Sequence, residues 1–380
     1  MRALMISNPF ATGQRPEVMR RLVLVLQSVP GLRFTVVFTQ FPGHAEKLCR
    51  GLTREDFDAL IAVGGDGTIN EVINGLLAGV PEGTDPDPQA YPALAVLPAG
   101  SANVFARALG FPQDLQLAAR KLAEVLTRED RRSIYLGRWS ATGRPQAAGV
   151  EPAYRGHAHP GGVAKGATPA VKAVSRWFAV NCGCGIDADV IARMERARSR
   201  GFSATPLRYL STSIVAWNRT RRDPPRIEVA ARTFAGADIG LDEVPIFFAS
   251  NTNPWTFLGP LPVLTNPQNS FDRGFGLFSL THLDGVGGVA GMLHLLGMGH
   301  SRWFERFIKK CTVLIDDVAS VCMRTPRPRH FRVDGELAGV FREVRLRTAQ
   351  DAIEVFAPRE EVRWADRTLA QVVRDFVRWS

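Results

Sequence analysis

Two carboxylates separated by one glycine, Asp334-Gly335-Glu336, and an aspartate set inside a glycine turn, Gly64-Gly65-Asp66-Gly67-Thr68, are the residues best suited to chemistry. The glycine turn reads Ala62-Val63-Gly64-Gly65-Asp66-Gly67-Thr68-Ile69-Asn70-Glu71. It follows an apolar run and opens a helical pattern, so its backbone N–H groups and the positive helix end can receive a phosphate. A plain corner has no need of the aspartate. Beside phosphates, Asp66 points to work on a metal ion or a proton. Thr68 and Glu71, three residues apart, have the spacing of a capping box that would set where the helix begins. Asp334 and Glu336 on one turn can both face a cleft, and burial there would raise a carboxyl toward the working range of a general base. Taken alone, Asp-Gly-Glu is also the composition of a surface hairpin turn.

Three further turns end strand-like runs. Gly100-Ser101-Ala102-Asn103 follows Ala93–Leu97, Asn8-Pro9 with Gly13 follows Ala3–Ser7, and Thr39 with Gly43-His44-Ala45 follows Arg33–Thr39. Parallel α/β sheets bind ligands beyond the carboxyl ends of their strands, so four such turns make a nucleotide crevice.

The elements that must position these turns alternate. Helical spacing appears at Glu17–Val29, His44–Gly51, Ile69–Leu77, Val104–Leu109 and Leu117–Leu126, between strands that include Ala59–Val63. That alternation predicts a parallel sheet with helices on both faces over residues 1–132. From Ser133 the runs are mostly strand-like, among them Trp177–Asn181, Arg226–Ala231, Ile246–Ser250, Leu277–Thr281, Thr312–Ile315, Phe331–Val333, Val344–Arg347 and Ile353–Phe356. They predict a β-rich second domain over 133–358, interrupted by an Ala/Gly/Pro-rich insertion at 141–173 and by helices near 190–200, 206–219 and 286–309. The tail 359–380 has near-helical apolar spacing with Trp364 and Trp379 toward its ends. It reads as an amphipathic helix lying at a membrane interface, or docked on the body or a second copy, so a homodimer is open.

Composition bounds the rest. The chain has 380 residues, 45% hydrophobic and 22% charged, which suits two globular domains. No apolar run approaches the roughly 18 residues of a membrane span, and the N-terminus lacks a signal-peptide core, so the cytoplasm is expected. Cys49, Cys182, Cys184, Cys311 and Cys322 lack metal-site spacing and read as small buried hydrophobes. The net charge is +10, with eight arginines and one acid between Ile191 and Arg222 and a second cluster at Arg324, Arg327, Arg329 and Arg332. No nucleic-acid motif accompanies them, so no nucleic-acid partner is expected; an anionic membrane surface is.

The ordered set Asn8-Pro9…Gly13, Thr39, Gly64–Thr68, Gly100–Asn103, Gly183-Cys184-Gly185-Ile186-Asp187-Ala188 and Asp334-Gly335-Glu336 resembles the diacylglycerol kinase catalytic family, which takes in bacterial lipid kinases and sphingosine and ceramide kinases. The resemblance runs from Ala3 to about Phe356. The Gly-Gly-Asp-Gly-Thr piece alone is shared with NAD kinases and related to phosphofructokinases. It implies an α/β nucleotide-binding domain with a parallel sheet of that kind, a β-sandwich second domain, and an active cleft between them. ATP with Mg²⁺ would be held at Asn8, Gly13, Thr39, Gly64, Gly65, Asp66, Gly67, Thr68, Ile69, Asn70, Gly100, Ser101 and Asn103. Asp66 would position Mg-nucleotide or handle a proton, Asp334 or Glu336 would be the base, and Asp187 would line the lipid side, with Trp255 and Phe257 nearby. The implied reaction is phosphorylation of a lipid hydroxyl, diacylglycerol giving phosphatidic acid, by a peripheral membrane enzyme. An NAD kinase or other small-alcohol kinase fits the first turn equally and the other turns poorly, and a silent lipid-binding regulator is the non-enzymatic rival. Two departures bear on this. Val104 stands where the family often has an aspartate. Asp272-Arg273-Gly274-Phe275-Gly276-Leu277 keeps one of three acids linked in some members to a structural magnesium, which puts a metal at Asp272 in doubt.

Overall fold

The computed structural model describes residues 1–9, 11, 16–145, 172–185, 220–259, 261–283 and 311–359. The N-terminal part alternates as its periodicity predicts: β1 (Arg2–Ser7), α1 (Pro16–Gln27), β2 (Arg33–Phe38), α2 (His44–Cys49), β3 (Ala59–Gly64), α3 (Asp66–Leu76), β4 (Ala93–Pro98), α4 (Val104–Ala108) and α5 (Leu115–Arg128). Its four strands are parallel in the order β4-β3-β1-β2. Every residue of β3 and β4 is buried, as expected of strands covered on both faces. Leu22 and Leu26 of α1 and Leu122, Val125 and Leu126 of α5 close the core on their side.

The remainder is strand-rich: β5 (Arg131–Pro145), β6 (Lys172–Phe178), β7 (Asn181–Cys184), β8 (Ile227–Thr233), β9 (Asp238–Val244), β10 (Ile246–Ser250), β11 (Thr256–Leu258), β12 (Leu261–Val263), β13 (Phe275–Leu280), β14 (Thr312–Val333) and β15 (Glu336–Phe356). Apart from the small β11–β12 hairpin, these strands join the parallel set in one 13-stranded hydrogen-bonded network. The join is a parallel pairing of Val355 in β15 with Leu94 in β4. The β-rich part is thus hydrogen-bonded to the parallel sheet through β15. It has its own core around Trp139, Phe178, Phe247, Phe275, Phe331 and Phe341. Meanwhile Ile134, Leu136, Trp177, Ile353, Val355 and Phe356 pack into the N-terminal core.

Other differences have local causes. Thr312–Ile315 and Phe331–Val333 are two ends of the single strand β14. Its prolines, Pro326 and Pro328, lie where the ladder with β15 skips from Arg324 to Arg329, so neither is asked for an N–H it lacks. β9 has no apolar run because its acids lie along an exposed strand that, among the described residues, pairs with β8 alone. β5 runs through Pro145 and β6 starts at Lys172, so both ends of the stretch taken as an insertion are paired strand. Residues 146–171, the three helices expected after residue 190, and the tail from 360 lie outside the described residues. Among the described residues, no helix is long and apolar enough to cross a membrane. No disulfide joins the five cysteines; Cys49, Cys182, Cys184 and Cys311 are buried as expected, whereas Cys322 is half-buried.

Candidate active site

The two glycine turns meet backbone to backbone at the ends of β3 and β4. A Cβ added to Gly100 would lie 2.5 Å from Gly65 Cα, and one on Gly65 would lie 3.2 Å from Gly100 Cα. Ala99 N donates to Gly64 O at 2.9 Å, extending the strand pairing into the turns. Only side-chain-free residues allow this approach. Gly100→Ala is accordingly expected to displace both turns and weaken a nucleotide seated on them by about 10-fold or more, because misplacement by an ångström is costly in a positioned site. A steady-state titration with ATP checks it.

Asp66 is the N-terminal residue of α3, and its carboxylate bridges to the other turn. Oδ2 accepts from Val104 N at 3.0 Å and Oδ1 from Phe105 N at 2.9 Å. It ties the start of α4 to the glycine turn. Burial pushes its carboxyl up to about 6, the two N–H groups pull the other way, and the neighbouring Asp334 charge adds to the rise. A folded value above the ordinary 3.8 means that the stability Asp66 contributes is full below about 4 and is lost as pH rises through about 6. The melting temperature of Asp66→Asn is expected to rise relative to that of the native chain over that window. A pH series of thermal melts checks it.

The capping box does not form. The N-cap of α3 is Gly65, with no side-chain hydrogen bond to the helix. Glu71 instead reaches across to α2, accepting from Gly43 N at 2.7 Å and Ala45 N at 3.1 Å. The Gly43-His44-Ala45 turn is thereby held to α3. Thr39 is buried beside it, its N–H donating to Ser7 O at 2.9 Å, and Asn8 N donates to Val63 O at 3.0 Å. The turns after β1, β2, β3 and β4 thus converge at one end of the parallel sheet. Gly13 and Asp187 lie outside the described residues.

Several expected nucleotide ligands turn inward. Ile69 is 1% exposed in the core, leaving only its backbone near the turn. Asn103, 2% exposed in a left-handed conformation (φ 51°), closes on its own turn. Its Oδ1 accepts from Gly100 N at 2.8 Å and its Nδ2 donates to Gly100 O at 2.7 Å. Asn70 donates to Asp334 Oδ2 at 2.8 Å and to Trp177 O at 3.1 Å. Ser101, by contrast, is exposed at the tip of its turn. For the two amides the reason is shared: each is spent on a backbone or carboxylate group that would otherwise be unsatisfied.

The two acids of the β14–β15 turn part company. Asp334, 7% exposed, accepts from Asn70 Nδ2 and from three backbone N–H groups: Ala179 at 2.9 Å, Val180 at 2.9 Å and Asn181 at 3.0 Å. Burial raises its carboxyl above the ordinary value, against the pull of those donors. Glu336 is exposed and stands over the first turn of α3, where a Cβ on Gly67 would lie 2.8 Å from its Oε1. The missing side chain at Gly67 is what lets the carboxylate sit there.

Around this centre are residues that the sequence did not assign to the site. Arg332, 2% exposed, donates through Nη1 to Asn181 Oδ1 and lies 5.7 Å from the Trp255 ring. Arg107, 4% exposed, stacks 3.4 Å over Phe257 and donates to Gly259 O at 2.9 Å, which covers Phe257 rather than leaving it open to a lipid. A charged residue two places before Asp334 was the available signal for Arg332. Its arginine cluster is also largely engaged, with Arg324 on Glu343 and Arg329 on Asp223. Asp272 is paired with Arg132 at 3.6 Å. Among the described residues, no three His, Cys, Asp or Glu side chains gather to hold a metal ion.

Residues 2–138 match the family described as the diacylglycerol kinase catalytic domain. The chain is 38% identical over 115 residues to a diacylglycerol kinase of Bacillus subtilis, covering 30% of this chain and 34% of that protein. It is 34% identical over 109 residues to human sphingosine kinase 2, covering 28% of this chain and 16% of that protein. The aligned stretch thus spans about a third of the length of the bacterial relative. In fold, the chain is similar to a crystal structure of a diacylglycerol kinase from Bacillus anthracis, with a TM-score of 0.57 at 17% identity over 95% of this chain and 98% of that one.

Proposed function

We propose that this chain, whose residues 2–138 match the diacylglycerol kinase catalytic domain, transfers the γ-phosphoryl group of ATP to the hydroxyl of a membrane lipid, diacylglycerol giving phosphatidic acid. One observation carries the reading: the exposed Glu336 carboxylate stands over Gly67, at the mouth of two glycine turns packed against each other. A triphosphate seated on those turns meets backbone N–H groups and the positive end of α3, an 11-residue helix. Glu336 is then the carboxylate placed to accept the proton of an incoming hydroxyl, while Asp334 has its oxygens committed to four donors. Phosphoryl transfer asks for positioning and charge neutralisation more than covalent help, and turns that offer backbone N–H groups at a helix start support this reading.

Mg²⁺ would enter on the nucleotide and neutralise the phosphates. The donor set fits an ion carried in this way, because both oxygens of Asp66 already serve α4. Acceptor choice and docking at an anionic bilayer belong to the same proposal.

The test is transfer of γ-labelled phosphate from ATP into mixed vesicles holding diacylglycerol, ceramide or sphingosine, with Glu336→Gln beside the native chain. Label in phosphatidic acid that the variant loses supports the reading. Label only in NAD or another soluble alcohol transfers it to that class of kinase. Nucleotide binding without label in any acceptor makes the chain a silent regulator.

A further inference from the structure

Asn74 lies on α3 among the buried apolar residues Val72, Ile73 and Leu76 and is itself 5% exposed. An amide in that place costs stability unless every polar atom is answered. Its Oδ1 accepts from Trp177 N at 2.9 Å. Its Nδ2 is directed at Asn70 O at 2.9 Å, Asn70 Oδ1 at 3.0 Å and Trp177 O at 3.0 Å.

We infer that Asn74 is a positioning residue of the phosphoryl-transfer site, orienting Asn70 toward Asp334 and so holding the turn that carries Glu336. The inference rests on the reading of Glu336 given above. Its logic is one of donors and acceptors. A backbone N–H can only donate, so the Trp177 peptide dictates which end of the Asn74 amide faces it. The NH2 of Asn74 must then face three acceptors, and a flipped amide would set oxygen against oxygen at all of them. Asn70 consequently offers its Oδ1 to Asn74 and has its own NH2 left for Trp177 O and Asp334 Oδ2. The relay runs from a peptide of β6 through two amides of α3 to a carboxylate of the β14–β15 turn. Gly67 lies on the same helix as both amides, and Glu336 lies two residues from the carboxylate. The relay therefore sets the spacing between the phosphate-binding turn and the base.

Asn74→Ala, Asn70→Ala and the double variant are to be compared by steady-state kinetics with lipid vesicles and by hydrogen exchange at residues 179–181. The expected result for Asn74→Ala is a fall in kcat of about 10-fold with the KM for ATP held within about 2-fold. The double variant should be no worse than Asn70→Ala alone by more than about 2-fold, since the two residues act in series. The amides of 179–181, which donate to Asp334, should exchange faster in Asn74→Ala. Multiplying effects in the double variant, or native protection at 179–181 in Asn74→Ala, overturn the inference. The exchange readout needs no kinase activity, so a native chain that phosphorylates no lipid sinks the functional reading and leaves this measurement standing. If Asn74→Ala does not fold, Asn74→Ser, which keeps one donor, takes its place with the same expected directions and the same overturning results.

Discussion

Glu336→Gln is expected to lower kcat by about 10²- to 10³-fold while the KM for ATP and the melting temperature stay close to native. A positioned general base contributes on the order of 10²- to 10⁴-fold, and glutamine keeps the shape while removing the basic oxygen. The carboxylate is exposed, and glutamine of the same size in its place opens no cavity. The nucleotide turns meet through Gly65 and Gly100 without its help. Single-turnover transfer of label checks the rate, and equilibrium ATP binding checks the split. A variant that retains native turnover would remove Glu336 from the chemistry.

Asp334→Asn should fail differently. Wherever the new NH2 group lies, it faces N–H donors that the carboxylate had satisfied. At the Oδ2 position these are Asn70 Nδ2 and Ala179 N; at Oδ1 they are Val180 N and Asn181 N. Two buried donors without an acceptor cost roughly 1–3 kcal/mol each, offset in part because the neutral amide escapes the burial that raises the Asp334 carboxyl. The expected net loss is about 2–4 kcal/mol of unfolding free energy, read from urea denaturation, with activity falling as the turn loosens. Two acids one glycine apart thus separate by readout: Glu336 acts on rate with stability intact, and Asp334 acts on stability and carries rate with it. Equal stability in both variants would contradict the division.

The alternation of apolar strands and amphipathic helices over residues 1–132 determined the parallel sheet, and the turn after each strand determined where the crevice lies. Both are local: a strand end, a glycine that frees the backbone, and a helix start are legible within about ten residues of each other. The candidate residues were legible for the same reason, since glycine turns and Asp-Gly-Glu stand out by composition. Tertiary structure alone decided what each does. Glu71 has capping-box spacing, yet it caps α2, because the end of another helix comes closer than its own. Asn70 and Asn103 look like nucleotide ligands, yet their amides are spent on Asp334, Trp177 and Gly100. The join of β15 to β4 through Val355 and Leu94 links residues far apart in the chain, which no window of sequence can pair. Between Asp334 and Glu336, composition offered two equal acids. Three peptide N–H groups from residues 179–181 made one a structural anchor, and the bare Cα of Gly67 let the other stand exposed over the first turn of α3.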